Sequence, residues 1–162
     1  MAKSFPRKAL RIYADTSVFG GVFDPEFSAA SSRFLDQVGS KRFQLVISPL
    51  VEEEISEAPH RVQDLYQSVA PLAELAPVAE AAGRLQAAYL RARIVSSKWA
   101  RDALHVASAS VAGCQIMVSW NFRHIVHYDK IALYNAINIR EGYSPIGIHT
   151  PQEVIEYEKE EV

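Results

Sequence analysis

Apolar positions fall into short runs, and polar turn residues separate them from longer stretches with helical spacing. Leu10 to Ala14, Phe43 to Ile47, Gln115 to Ser119 and Tyr143 to His149 read as strands bounded by turn residues. Helical spacing places Phe27, Ala30, Phe34, Leu35 and Val38 on one face of a helix from Ser28 to Val38, which Gly39-Ser40 ends. Ser48-Pro49 opens another helix, with Ser as N-cap and Pro at the first position, through Glu54-Ile55 to near Ala58-Pro59. His60 to Val69 predicts a further helix, and a short edge segment is expected around Glu74-Leu75-Ala76. Ala79 to Ala92 is rich in strong helix formers. Ser97 is expected to cap a helix from Lys98 to Ala112 that Gly113 ends. Tyr128 to Ile139 predicts an amphipathic helix with Ile131, Leu133, Tyr134 and Ile137 as its apolar stripe. Pro151 opens a last short helix. Between the first strand and the Ser28 helix, Gly20-Gly21 and Asp24-Pro25 read as a loop. Strands alternating with helices predict an α/β fold, a mainly parallel sheet of about five strands with helices on both faces.

Composition changes little in this picture. A chain of 162 residues, 49% apolar and 22% charged, is expected to form one globular domain over residues 1–155, followed by an acidic tail over 156–162. The net charge of −2 argues against sequence-blind nucleic-acid binding by the whole surface but leaves room for a local basic patch. One cysteine, Cys114, excludes an internal disulfide and suits a reducing cytoplasm; it is expected to pack in the core. The N-terminus carries no apolar signal region, and no apolar run approaches the ~20 residues that span a bilayer.

Asp15, Glu54 and Asp102, with Asn121 as a fourth oxygen donor, are the candidate chemistry. Asp15 closes the first strand, Asn121 follows the fourth, Glu54 lies in the helix after the second, and Asp102 sits in an alanine-rich helix. Carboxylates at the C-terminal ends of neighbouring parallel strands meet in the crevice where open α/β sheets bind ligands. Clustered like charges call for a hard divalent cation, which points to chemistry on phosphate. The alternative for Asp15 is a capping role at Thr16-Ser17. Glu53 also borders the buried side of its helix; the neighbours of Glu54 favour the latter. His105, three residues beyond Asp102, reads as a packing histidine or a donor beside the carboxylates. Arg91, Arg93, Lys98 and Arg101 precede Asp102, and Arg123 and His124 follow Asn121, so a basic rim is expected around the acidic crevice. Trp99, Trp120 and Phe122 are candidates for base stacking or for core packing.

Four blocks carry a resemblance: Tyr13-Ala14-Asp15-Thr16-Ser17, Ile47 to Ile55, Asp102-Ala103-Leu104-His105-Val106-Ala107, and Val118 to Ile125. In this order the chain resembles the PIN domain family of metal-dependent ribonucleases, including VapC-like toxins, from about Arg11 to Glu153. The resemblance implies a three-layer α/β/α fold and a metal-dependent endoribonuclease that leaves 5′-phosphate ends. It implies Mg²⁺ or Mn²⁺ held by Asp15, Glu54, Asp102 and Asn121, with Thr16, Ser17, Ser119 and His105 around them and Lys98, Arg101 and Arg123 on RNA. Asn121 departs from the acidic form of the pattern; with three carboxylate charges, the set suits one ion better than two. Also implied are an antitoxin partner and a homodimer, with the faces around Leu65-Tyr66 or Leu85-Tyr89 as interface or as core. The competing expectation is a PIN-type module that binds RNA or protein without cleaving. A phosphotransferase with Asp15 as nucleophile lacks a second Asp two residues on, where Ser17 stands. No Gly-rich phosphate loop is present, which disfavours an NTPase.

Overall fold

A computed structural model describes residues 9–77 and 79–157. Five parallel strands form one sheet: β1 (Leu10–Ala14), β2 (Phe43–Ile47), β3 (Glu74–Leu75), β4 (Ile116–Val118) and β5 (Gly147–His149), in the order β3-β2-β1-β4-β5. The helices are α1 (Thr16–Gly21), α2 (Ser28–Gly39), α3 (Pro49–Ser56), α4 (His60–Val69), α5 (Ala79–Arg91), α6 (Ala100–Val111), α7 (Tyr128–Arg140) and α8 (Pro151–Ile155). Successive residues of a strand point to opposite faces, yet Ile12, Tyr13 and Ala14 are all fully buried. Both faces of β1 are therefore covered, as a parallel sheet requires. The helices flank the sheet in two packed groups, α5 with α6 and α7, and α1, α2, α3, α4 and α8. This is the expected α/β/α layering. Of the predicted acidic tail, residues 158–162 lie outside the described residues.

Differences from the expected elements have local causes. The stretch that reads as a loop after Ser17 begins with α1, because Asp15 accepts the Ser17 N–H and caps the turn. Gly21 ends that helix where a Cβ would lie 2.7 Å from Ser31 Oγ and 2.8 Å from Trp120 Nε1, two atoms hydrogen-bonded to each other at 2.8 Å. Gly21→Ala is expected to destabilise by about 2 kcal/mol through overpacking. Gly20→Ala, with open space at its Cβ, should cost nothing, and urea melts of the two variants check the contrast.

The helix expected from Lys98 is interrupted: Ser97–Trp99 forms a 3-10 turn, and α6 starts at Ala100 with no side-chain cap. The last strand is shorter than predicted, Gly147–His149, because Asn135 on α7 engages both polar backbone groups of Ile146 and holds the approach to it. Leu133, expected on the buried stripe of α7, is half exposed, while Asn138 is fully buried between Tyr89 and Ser110. Tyr66, Leu85 and Tyr89 are buried and Leu65 packs against the core, so the faces considered as an interface belong to the interior. Cys114 is buried, as expected.

Candidate active site

Strand order reverses between β1 and β4, since the chain steps from β1 toward β2 on one side and from β4 toward β5 on the other. Open α/β sheets bind ligands in the crevice at such a switch point. Asp15 stands there, its N–H bonded to the Val118 carbonyl across the two strand ends. Its carboxylate belongs to a residue only 4% exposed. Ser17 donates its N–H and its Oγ–H to Oδ1, at 3.1 and 2.5 Å, and Ser119 Oγ–H donates to Oδ2 at 2.6 Å. Each hydroxyl also accepts a backbone N–H from the loop after β4: Trp120 N–H to Ser17 and Asn121 N–H to Ser119, both at 2.9 Å. Two serines thus lock that loop onto Asp15. The capping role is observed, and the same hydrogen bonds fix the carboxylate rotamer, as a cation ligand would require.

Glu54 lies on α3, half-buried, with Glu52 and Glu53 turned to solvent, in keeping with the helical geometry. Its Oε1 accepts from Thr16 Oγ1 at 2.7 Å and from His105 Nε2 at 2.5 Å. Arg101 lies 3.5 Å from its Oε2 and 3.8 Å from Glu53. A carboxylate only accepts, so His105 Nε2 carries the proton. His105 Nδ1 then faces the Tyr13 hydroxyl at 2.7 Å, and Tyr13 faces Ser48 Oγ at 2.8 Å. Ser48, expected to cap α3 with its side chain, spends its hydroxyl on this chain instead. Burial pushes the Tyr13 phenol far above its ordinary value, so it stays protonated. Sequence reasoning does not single out Tyr13 or Ser48. The available signal is a phenol in an otherwise aliphatic strand, which needs a polar partner when buried.

Burial also pushes the Asp15 carboxyl up, and the Glu54 charge adds to this, while His105, Ser119 and Ser17 pull it back. Burial works the same way on Glu54 but is outweighed by His105, Thr16 and Arg101, which bring it down to about 2. A carboxyl lower in the folded state contributes stability above its unfolded value of 4.5, and loses it as pH falls through about 2. Acid unfolding of wild type and Glu54→Gln should therefore differ by a gap that is constant above about pH 5 and closes between about pH 4.5 and 2. A gap independent of pH would show that the charge of Glu54 is not what the His105 and Arg101 contacts stabilise.

Asp102, in the first turn of α6, pairs with His124, Nδ1 to Oδ2 at 2.9 Å. His124 stacks on Trp99, with ring centroids 4.3 Å apart. Asn121 Oδ1 accepts the N–H groups of Arg123 and His124 at 3.2 and 2.9 Å. Both lone pairs of that amide oxygen are in use, which makes Asn121 the former of the turn that presents His124. Trp120 stacks on Phe27 and bonds Ser31, the packing role, whereas Phe122 is half exposed.

The structure thus brings Glu54 to Thr16, the neighbour of Asp15, and to His105, and separately pairs Asp102 with His124. Among the described residues, no three His, Cys, Asp or Glu side chains gather where they would hold a metal ion. The donor chemistry nevertheless suits a hard divalent cation at Asp15, a buried carboxylate whose charge burial opposes and a cation would stabilise. No helix among the described residues is long and apolar enough to cross a membrane.

Fold and site together define an α/β protein with a carboxylate, hydroxyl and imidazole centre at the switch point of a five-stranded parallel sheet. A solved structure described as VapBC2 from Rickettsia felis bound to a DNA fragment from their promoter is similar to it. The TM-score is 0.55 and the identity 12%, over 87% of this chain and 98% of that one. At that identity the similarity is one of fold. No protein-family model matches the chain, and no curated protein does.

Proposed function

We propose that this protein is a PIN-type, metal-dependent endoribonuclease and the toxin half of a toxin–antitoxin pair. The observation that carries this reading is Asp15: a carboxylate buried at the switch point, held by two serines, whose charge is destabilised where it stands. Perturbed carboxylates in such a crevice mark functional sites. The fold similarity to VapBC2 is consistent with the reading, under which a small antitoxin is the expected protein partner. The homodimer that the resemblance implies would have to use a face other than those around Leu65-Tyr66 and Leu85-Tyr89, which are interior.

Asp15, Glu54 and Asp102 are the residues we assign to hold Mg²⁺ or Mn²⁺, although the three do not gather as a set in this structure, where Asp102 faces His124; Asn121 shapes the loop. When bound, the cation would supply charge neutralisation at the scissile phosphate and a more acidic attacking water. Thr16 and His105 orient Glu54, Ser17 and Ser119 orient Asp15, and Arg101 balances the Glu54 charge. Lys98 and Arg123 are assigned to RNA phosphates. Among the described residues, no buried Ser-His-Asp arrangement or reactive thiol offers a covalent route: burial pushes the Cys114 thiol up to about 11. The resemblance to the PIN domain family implies hydrolysis by water that leaves 5′-phosphate and 3′-hydroxyl ends on single-stranded or structured RNA. Ligation-based mapping of the product ends checks this; 2′,3′-cyclic phosphate ends would overturn it.

A second reading has its own support. Glu54 is already paired with His105 and Arg101, Asp102 with His124, and position 121 carries no charge. These pairs fit a module that binds RNA without cleaving it. RNA binding with no cleavage in any divalent cation would favour that reading.

A further inference from the structure

Three cationic or aromatic side chains from two separate segments converge on Trp99. Lys98 Nζ lies 5.0 Å from the ring centroid and the Arg123 guanidinium 5.7 Å, while the His124 imidazole stacks on the ring. His124 Nδ1 in turn lies 2.9 Å from Asp102 Oδ2. Lys98 and Arg123 are both exposed and take part in none of the salt bridges among the described residues, unlike Arg101. The break between the 3-10 turn and α6 is what places Trp99 there. A cation over an indole face is held without being neutralised, so it keeps its charge for another partner.

We propose that Trp99 is a positioning residue that holds Lys98 and Arg123 as a two-pronged clamp for the backbone phosphates of single-stranded RNA. His124 ties the clamp to Asp102. Phosphate capture is thereby placed relative to Asp102, since the same imidazole lies against both Trp99 and Asp102. The basic residues here are few and the chain is acidic overall, so binding depends on how these two charges are fixed. This rests on RNA as the substrate, and it is separable from whether the site cleaves.

The test is binding of a fluorescent single-stranded RNA to the Asp15→Asn protein across a salt series. Trp99→Ala in that background removes no charge, yet it is expected to weaken binding roughly ten-fold and to flatten the salt dependence. Each phosphate that the protein no longer neutralises lowers the slope of log affinity against log salt by about 0.7. Trp99→Phe, which keeps a ring under the cations, is expected to restore most of both. Lys98→Ala with Arg123→Ala should match Trp99→Ala, and adding Trp99→Ala to that pair should change nothing more. Folded variants with unchanged affinity and slope would overturn the clamp while leaving the nuclease reading intact. Absence of RNA binding by the parent protein at low salt would overturn both.

Discussion

Replacing Asp15 by asparagine is expected to remove at least ~10³-fold of RNA cleavage while leaving a protein that melts higher than wild type. The first effect follows from the size of a cation's contribution, several kcal/mol of charge stabilisation at the transition state, with each ~1.4 kcal/mol worth ten-fold. Asparagine keeps the shape and can still take the Ser17 bonds but brings no charge to hold the ion. The second effect follows from burial, which pushes the Asp15 carboxyl above its ordinary value. Folding the charged form costs free energy, and removing the charge returns some of it. A gain of ~1 kcal/mol corresponds to roughly 2–4 °C in a protein of this size. Cleavage rates with the cation and melting curves in metal-free buffer check the two effects. Loss of activity accompanied by a lower melting temperature would mean that Asp15 is chiefly structural.

The largest stability effect is expected far from this crevice, at Asn138. It is fully buried on α7, accepting from the Tyr89 hydroxyl and donating to Ser110 Oγ at 2.9 Å. Asn138→Ala removes one partner each from the Tyr89 phenol and the Ser110 hydroxyl in the core between α5, α6 and α7, leaving them each other. The lost buried hydrogen bonds, at about 1–3 kcal/mol for a group left short, together with a small cavity give a loss of about 3 kcal/mol. Chemical denaturation measures it directly. A loss below about 1 kcal/mol would show that Tyr89 and Ser110 find other partners. Because the partners of Asn138 are distinct from those of Asp15, cleavage per folded molecule should be unchanged.

Most of the architecture is readable from hydrophobic spacing because strands β1, β2 and β4 are buried on both faces and α2, α4 and α5 have clear apolar stripes. Even the two-residue edge strand at Glu74-Leu75 is indicated. Features set by long-range polar contacts are not. α1 reads as a loop in the sequence because its N-cap is Asp15 itself and its last glycine serves packing against Trp120. The burial of Asn138 is unreadable because its partners, Tyr89 and Ser110, come from other helices. Local spacing cannot report such partners.

The site is legible to the same degree. Asp15, Glu54 and Asp102 stand out as carboxylates in apolar settings, and the exposure of Glu52 and Glu53 agrees with helix geometry. Their internal partners are hidden. His105 belongs to Glu54 on another helix rather than to Asp102, three residues away on its own. His124 reaches Asp102 only because Asn121 folds the loop after β4 back on itself. Each of these pairings spans a gap in sequence that only the sheet order closes.

Cleavage of a labelled single-stranded RNA pool by wild-type protein, with Mn²⁺ or Mg²⁺ and with EDTA, decides whether the protein is a metal-dependent ribonuclease. Fragments are expected to accumulate with the cation and to vanish when it is chelated. Cleavage undiminished by EDTA, or none in any divalent cation despite RNA binding, would contradict that reading.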